Sequence, residues 1–315
     1  MRQPKIVVVG AGLVGGSAAL FAAEAIPSAE VVIIDLERVR AEGQVLDLAH
    51  SAAFWGGNRF YAGDYEDAHN ADVVVITAGV GVKPGQTRLD LAKTNAGIAA
   101  QIVDRIAPLA PEAIYVIAAN PCDVLAYVVY NRLRCARGRV ISTGTALDTG
   151  RLRSLLSERL GVVAPGIHAY VIGEHGESAV IVWSAATVSG MPLEIFLSRT
   201  GKELGPASRD LLLRSVHEAA KLIKDGKGAT HYGIASAIGR ICQAIVHNAD
   251  LILTVGIVHA EVEGVPEVCL SLPMVVNGNG AQLLAYPELN PTEREGLRRS
   301  ARVVKEATDG VLLDR

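Results

Sequence analysis

The sequence predicts an α/β protein: a parallel sheet wound by helices on both faces, followed by a mixed α/β region with antiparallel strands. Three observations carry this reading. Short β-branched runs recur at residues 6–9, 31–34, 73–77, 114–118 and 140–141, with helix-compatible stretches between most of them. A glycine-rich turn, Gly10-Ala11-Gly12-Leu13-Val14-Gly15, joins the first run to a helix-forming stretch. After about residue 145 the alternation changes, and shorter runs are interleaved with long helical stretches.

The first run reads as a buried strand, and the turn after it fits a dinucleotide. Gly10 permits the tight turn, Gly12 lets the backbone approach a pyrophosphate, and Gly15 lets the helix pack closely on the strand. The partial positive charge of the helix start then faces phosphate. The second run ends at Asp35, 20 residues beyond Gly15, where a carboxylate can hold an adenosine ribose and repel a 2′-phosphate. The expected cofactor is NAD, bound by Gly10, Gly12, Leu13, Val14, Gly15 and Asp35. Arg38 is the nearby feature that argues for a 2′-phosphate instead. A glycine turn and a strand-end acid also occur without a ligand, so the order of strand, turn, helix, strand and acid carries the assignment.

The third to fifth runs complete a Rossmann-type sheet, in which ligands sit beyond the carboxyl ends of the strands. The fourth run leads into Asn120-Pro121-Cys122-Asp123. In the second half, residues 170–172, 180–182, 185–188, 251–258 and 267–272 read as an antiparallel meander. Residues 208–224 and 231–246 read as helices, and a last helix spans about residues 292–308 behind Pro291. Two domains are expected, residues 1–145 for the dinucleotide and 146–315 for substrate and catalysis.

Composition narrows the function classes. The chain of 315 residues exceeds the usual size of a single core. Half the residues are hydrophobic, only 4% are aromatic, and mean hydropathy is +0.30, so association into an oligomer is expected. A net charge of −3 provides no basic field for nucleic acid or an anionic membrane. Cys122, Cys135, Cys242 and Cys269 are scattered, without zinc-type spacing, which fits reduced thiols in a cytoplasmic protein without a metal site. The uncharged stretch 6–23 after Lys5 mimics a targeting signal, but four glycines interrupt it and the dinucleotide turn accounts for them.

Chemistry concentrates in three segments. His175, within Gly173-Glu174-His175-Gly176-Glu177-Ser178, has the residue type that exchanges protons near neutrality, although a histidine in a polar turn is also often just solvated. Asp148 and Arg151 lie three apart at the start of a predicted helix and share a face. The carboxylate suits an imidazole and the guanidinium a substrate carboxylate; a capping Asp beside a solvated Arg has the same spacing. Residues 79–90, with three glycines and a proline, form a loop that delivers Arg88 to a helix start. A closing lid and an ordinary surface loop share that composition.

Together these segments resemble the lactate/malate dehydrogenase family over essentially the full length. The resemblance rests on the glycine turn, the loop ending Thr-Arg-Leu-Asp-Leu, Asn120-Pro121-Cys122-Asp123, Gly144-Thr145 with Leu147-Asp148 and Arg151, and Gly-Glu-His-Gly. It implies that His175 is the acid/base, Asp148 its orienting partner, Arg151 the carboxylate clamp and Arg88 the carbonyl-polarising residue of a lid. Asn120 would hydrogen-bond near substrate and nicotinamide. The family's discriminating loop position holds Val82, where lactate enzymes usually carry Gln and malate enzymes Arg. A valine leaves the second carboxylate of oxaloacetate unpaired, at a cost of several kcal/mol in a closed site. Gln86 is a further departure in that loop.

Thr230 matches the pocket threonine of the lactate branch, and Arg153 with His168 matches the basic pair that binds fructose 1,6-bisphosphate in allosteric bacterial members; an ordinary interfacial pair fits those two residues equally well. The expectation is an L-lactate dehydrogenase, reversibly converting lactate and NAD to pyruvate and NADH, active as a homotetramer. The alternative is a malate enzyme or one for bulkier apolar 2-oxo acids.

Overall fold

The computed structural model describes residues 2–81, 85–283 and 286–313. The first half alternates strands and helices: β1 (Lys5–Val9), α1 (Leu13–Ala25), β2 (Glu30–Ile34), α2 (Arg38–Ala52), β3 (Arg59–Ala62), β4 (Val73–Ile76), α3 (Arg88–Ile106), β5 (Ile114–Ile117), α4 (Cys122–Leu133) and β6 (Val140–Ser142). These six strands pair in parallel in the order β3-β2-β1-β4-β5-β6. That is the doubly wound arrangement that the sequence predicts. The side-chain period of two explains the continuous apolar runs: Ile6 and Val8 enter the core on one face of the sheet, Val7 and Val9 the core on the other. The edge strand β3, Arg-Phe-Tyr-Ala, escapes sequence analysis because it lacks such a run.

The second half comprises α5 (Ala146–Leu160), β7 (Ile167–His168), β8 (Val171–Ile172), β9 (Val180–Ile181), β10 (Thr187–Val188), β11 (Met191–Pro192), α6 (Leu193–Thr200), α7 (Pro206–Lys227), α8 (Tyr232–Val246), β12 (Leu251–Val262), β13 (Val265–Asn277), β14 (Gly280–Gln282) and α9 (Pro291–Leu312). The structure corrects the expected meander here. β12, β13 and β14 continue the large sheet, where β12 pairs antiparallel with β6 at Gly256 and Ser142. Strands β7 to β11 form two small separate sheets. The run at residues 251–258 is long and mostly apolar, and from Thr254 to Val258 it is buried within a sheet whose two faces meet different cores.

Two helices set the geometry around the glycine turn. The fully buried residues of α1 are all small, Gly15, Gly16, Ala18, Ala19, Ala22 and Ala23. It packs tightly on α8, where a Cβ at Gly239 would come within 2.9 Å of Phe21. α9 begins with a capping box, in which the Asn290 side chain accepts from the Glu293 N–H at 2.9 Å, and then crosses β13 and the turn that bears His175.

Candidate active site

The ends of β1, β2 and β4 open into a cleft of about 560 Å³ whose walls include Gly10, Gly12, Asp35, Thr77, Gly79 and Val80. Two of the three motif glycines are required by the protein itself. Gly10 adopts φ +110°, and a Cβ on Gly15 would lie 1.8 Å from the Gly10 carbonyl oxygen. At Gly12 an added Cβ would meet nothing within 4 Å, so the protein's own packing does not require this glycine, and the space beside its backbone is open to a ligand. Leu13 starts α1 exposed, and Val14 packs against the core.

Asp35 is fixed at the rim. Its carboxylate accepts from the Ala11 N–H at 2.6 Å and the Glu37 N–H at 2.9 Å, with Arg40 4.0 Å away. Arg38 is engaged elsewhere, donating to Glu42 at 3.1 Å and Asp64 at 3.0 Å. The rim therefore suits ribose hydroxyls and disfavours a 2′-phosphate. These residues fit a bound NAD.

On the other side of the strand ends, α5 and the Gly173–Ser178 turn bring three predicted residues together. The Asp148 carboxylate spans two partners: one oxygen lies 2.7 Å from His175 Nδ1, and the other accepts from Arg151 Nη1 at 2.9 Å. A carboxylate only accepts, so Nδ1 carries the proton and Nε2 is left with its lone pair. Asp148 is 7% exposed and Arg151 14%, whereas the His175 side chain is 27% exposed, enough to meet a substrate. Burial penalises a charged imidazole here, but the Asp148 hydrogen bond and charge, with the Asp123 charge added, hold the His175 pKa above its ordinary 6.5. Burial also opposes ionisation of Asp148; His175 and Arg151 outweigh it and hold its pKa below the ordinary value.

This arrangement depends on long-range hydrogen bonds. Val171 donates to Thr149 Oγ1 at 2.9 Å, which ties the strand leading to His175 onto α5. Gly173 and Ser271 exchange backbone hydrogen bonds, and Ser300 on α9 accepts from the Glu174 N–H at 2.8 Å. Asp123, in the first turn of α4, accepts the His175 backbone N–H at 3.0 Å and the Ser142 hydroxyl at 2.7 Å. Asn95 donates to the Asn120 carbonyl at 2.7 Å and to Val80 O, coupling the β5 end to the loop before Arg88. Sequence analysis assigned no role to Asp123, Ser300, Ser271 or Asn95. Only Asp123 lay within a quoted motif, and nothing local identifies the partners of the others.

The remaining predicted residues are more dispersed. Asn120 is exposed at the end of β5. Thr230 lies half-buried between α7 and α8, near the point where Gly233 packs on Leu147, the neighbour of Asp148. Arg88 is not gathered to His175: its side chain is 91% exposed and pairs with Glu177 at 3.3 Å. Val82 lies outside the described residues. Arg153 donates to the Ala169 carbonyl at 3.1 Å and stacks over Tyr170, while His168 is exposed on β7. Among the described residues no cluster of His, Cys, Asp and Glu suits a metal ion, and no helix is long and apolar enough to cross a membrane.

The profile described as the lactate/malate dehydrogenase NAD binding domain matches residues 4–142, and that of the family's alpha/beta C-terminal domain matches residues 145–312. The chain belongs to the lactate/malate dehydrogenase family. Curated members of this family that resemble it include the L-lactate dehydrogenase of Thermus aquaticus, 42% identical over 307 residues, covering 98% of this chain and 99% of the relative. That of Geotalea daltonii is 41% identical over 310 residues, with coverage of 98% and 99%. Among solved structures, a lactate dehydrogenase from a Medee basin deep-sea metagenome library superposes with a TM-score of 0.94 at 37% identity, covering 99% of both chains. The minor L-lactate dehydrogenase of Enterococcus mundtii gives 0.92 at 36%, covering 98% of both. Membership of the family makes the N-terminal part an NAD-binding domain and the protein an NAD-dependent 2-hydroxy-acid oxidoreductase.

Proposed function

We propose that this chain is an NAD-dependent L-lactate dehydrogenase in which His175 exchanges the substrate's hydroxyl proton and Arg151 holds its carboxylate. The observation that carries the reading is the Asp148 bridge, 2.7 Å to His175 and 2.9 Å to Arg151, which sets a proton acceptor and a carboxylate clamp on one support. The L-lactate dehydrogenases among its relatives favour lactate over malate as substrate. When bound, NAD supplies the acceptor for the hydride that leaves the substrate carbon.

In lactate oxidation, Nε2 of neutral His175 accepts the hydroxyl proton, and Asp148 stabilises the resulting imidazolium. Reduction of pyruvate runs the same transfer in reverse, from protonated His175. The Asp148 bond keeps the ring in the tautomer that leaves Nε2 available. Among the described residues Arg151 has its ion pair through Nη1 alone, which leaves the rest of the guanidinium edge for a substrate carboxylate. Arg88, moving in from solvent, would polarise the carbonyl and help exclude water. Asn120 would align substrate with nicotinamide, Thr230 would line the pocket, and Val82 would leave it without the cation a second carboxylate needs.

His175→Asn is expected to retain NADH binding while kcat falls by about 1,000-fold or more; near-normal pyruvate reduction by this variant overturns the mechanism. A ranking of pyruvate, oxaloacetate, 2-oxobutyrate and 2-oxoisocaproate by kcat/KM tests the substrate. The reading extends to residues 1–145 and 146–315 as functional domains, a cytoplasmic setting and a homotetramer. Leu36, Val39, Leu46 and Phe54, exposed along and beside α2, support association of copies. Arg153 on α5 and His168 on the adjoining β7 would form a fructose 1,6-bisphosphate site, tested by measuring rate against that ligand in the wild type and in Arg153→Ala.

A further inference from the structure

His175 is held at two places by two different carboxylates. Asp148 reaches the ring from α5. Asp123 reaches the main chain from α4, accepting the His175 N–H at 3.0 Å. Asp123 is 3% exposed, and its other oxygen accepts the Ser142 hydroxyl at 2.7 Å. The space around it is tight: a Cβ on Gly256 would lie 3.0 Å from Oδ1. A carboxylate so enclosed, at the start of a helix and bonded to the backbone of a proton-transfer residue, is costly unless it serves that residue or the helix.

We propose that Asp123 is a positioning residue of the reaction, a second carboxylate that fixes the main chain of His175 while Asp148 fixes its ring. This rests on His175 being the acid/base. Burial pushes the Asp123 carboxyl up to about 6, against the lowering effect of the His175 N–H and Ser142 bonds; both oxygens accept a hydrogen bond, as those of a carboxylate do. The carboxylate charge favours the imidazolium, alongside Asp148 and against Arg151, both on α5. The other titratable groups facing Asp123 are Glu174 on the His175 turn, Cys122 on α4 and Cys269 on β13; burial holds both thiols protonated. The site thus divides its work: Asp148 selects the tautomer, and Asp123 sets where the histidine stands and adds to its proton affinity.

The test uses the full chain and two substitutions. Asp123→Asn keeps an oxygen for the His175 N–H and removes the charge. The midpoint of the His175 ring, followed by NMR titration without substrate, is expected to fall by about one pH unit, and the acid limb of kcat/KM for lactate oxidation to move down with it. Asp123→Ala removes the contact as well, and kcat is expected to fall about 100-fold with NADH affinity unchanged. Ser142→Ala, which strips the hydrogen bond that holds the Asp123 carboxyl down and so weakens its charge near neutrality, is expected to shift the midpoint in the same direction by less, and serves if the alanine variant does not accumulate. A His175 midpoint unmoved in Asp123→Asn, or a wild-type kcat in Asp123→Ala, overturns the inference. A wild-type protein that turns over no 2-hydroxy acid would instead overturn the functional reading, and the NMR comparison would still decide whether Asp123 acts on His175.

Discussion

The two cationic parts of the candidate site are built in opposite ways. Arg151 and the histidine it accompanies sit on buried carboxylates, cross-tied to α4, α5, β13 and α9. Arg88 stands at the first position of α3, 91% exposed, and pairs with Glu177, which is itself 82% exposed. The proposed proton-transfer and carboxylate-binding groups are therefore already together in this structure, while the group proposed to polarise the carbonyl stands outside. In the proposed mechanism, preassembly spares the enzyme the reorganisation of charged groups during reaction, and an exposed Arg88 leaves an entrance for the substrate.

The contrast is most exposed to failure at Asp148. In Asp148→Asn the amide no longer balances an imidazolium, and kcat is expected to fall by about 1,000-fold with NADH binding retained. Arg88→Gln, on the exposed side of the contrast, is expected to lower kcat about 100-fold while thermal midpoint and NADH affinity stay at the wild-type value. A lowered thermal midpoint would mean that Arg88 is part of the scaffold after all. Arg151→Lys replaces a two-pronged donor by a point charge; its main effect should be a KM for pyruvate raised about tenfold, measured by steady-state kinetics.

Smaller effects refine the picture. Because the His175 pKa is held above 6.5, lactate oxidation, which needs the neutral ring, should lose rate as pH falls through a value above 6.5. Pyruvate reduction, which needs the imidazolium, should lose rate as pH rises through the same value. Profiles of kcat/KM in the two directions with limbs on the wrong sides would contradict the assignment. Glu177→Gln is expected to change kcat less than about threefold, since an ion pair between exposed groups is weak. A larger drop would show that Glu177 does more than hold Arg88 at the surface.

Much of this was legible in residues alone. Buried parallel strands announce themselves as unbroken β-branched runs, and the demands on Gly10 and Gly15 are local, so β1, α1 and β2 could be read in order. The edge strand β3 could not, because a strand with one neighbour has no need of a continuous apolar run. Nor could the attachment of β12 to β6, since pairing at Gly256 and Ser142 joins residues more than a hundred positions apart. In the candidate site, His175, Asp148 and Arg151 stood out by type and by resemblance to a family. Ser300 and Ser271, which brace the same turn, are two serines among many.

By itself the sequence determined the buried parallel strands β1, β2, β4, β5 and β6, the dinucleotide turn and the identities of the proton-transfer and clamp candidates, because short-range spacing and hydrophobic period encode those directly. Only the tertiary structure decided that Asp148 serves histidine and arginine at once, that Arg38 is occupied away from the Asp35 rim, that Arg88 stands apart, and that a second buried carboxylate lies behind His175. These depend on which side chains meet across the fold, and long-range contacts of that kind leave no periodic trace in the chain.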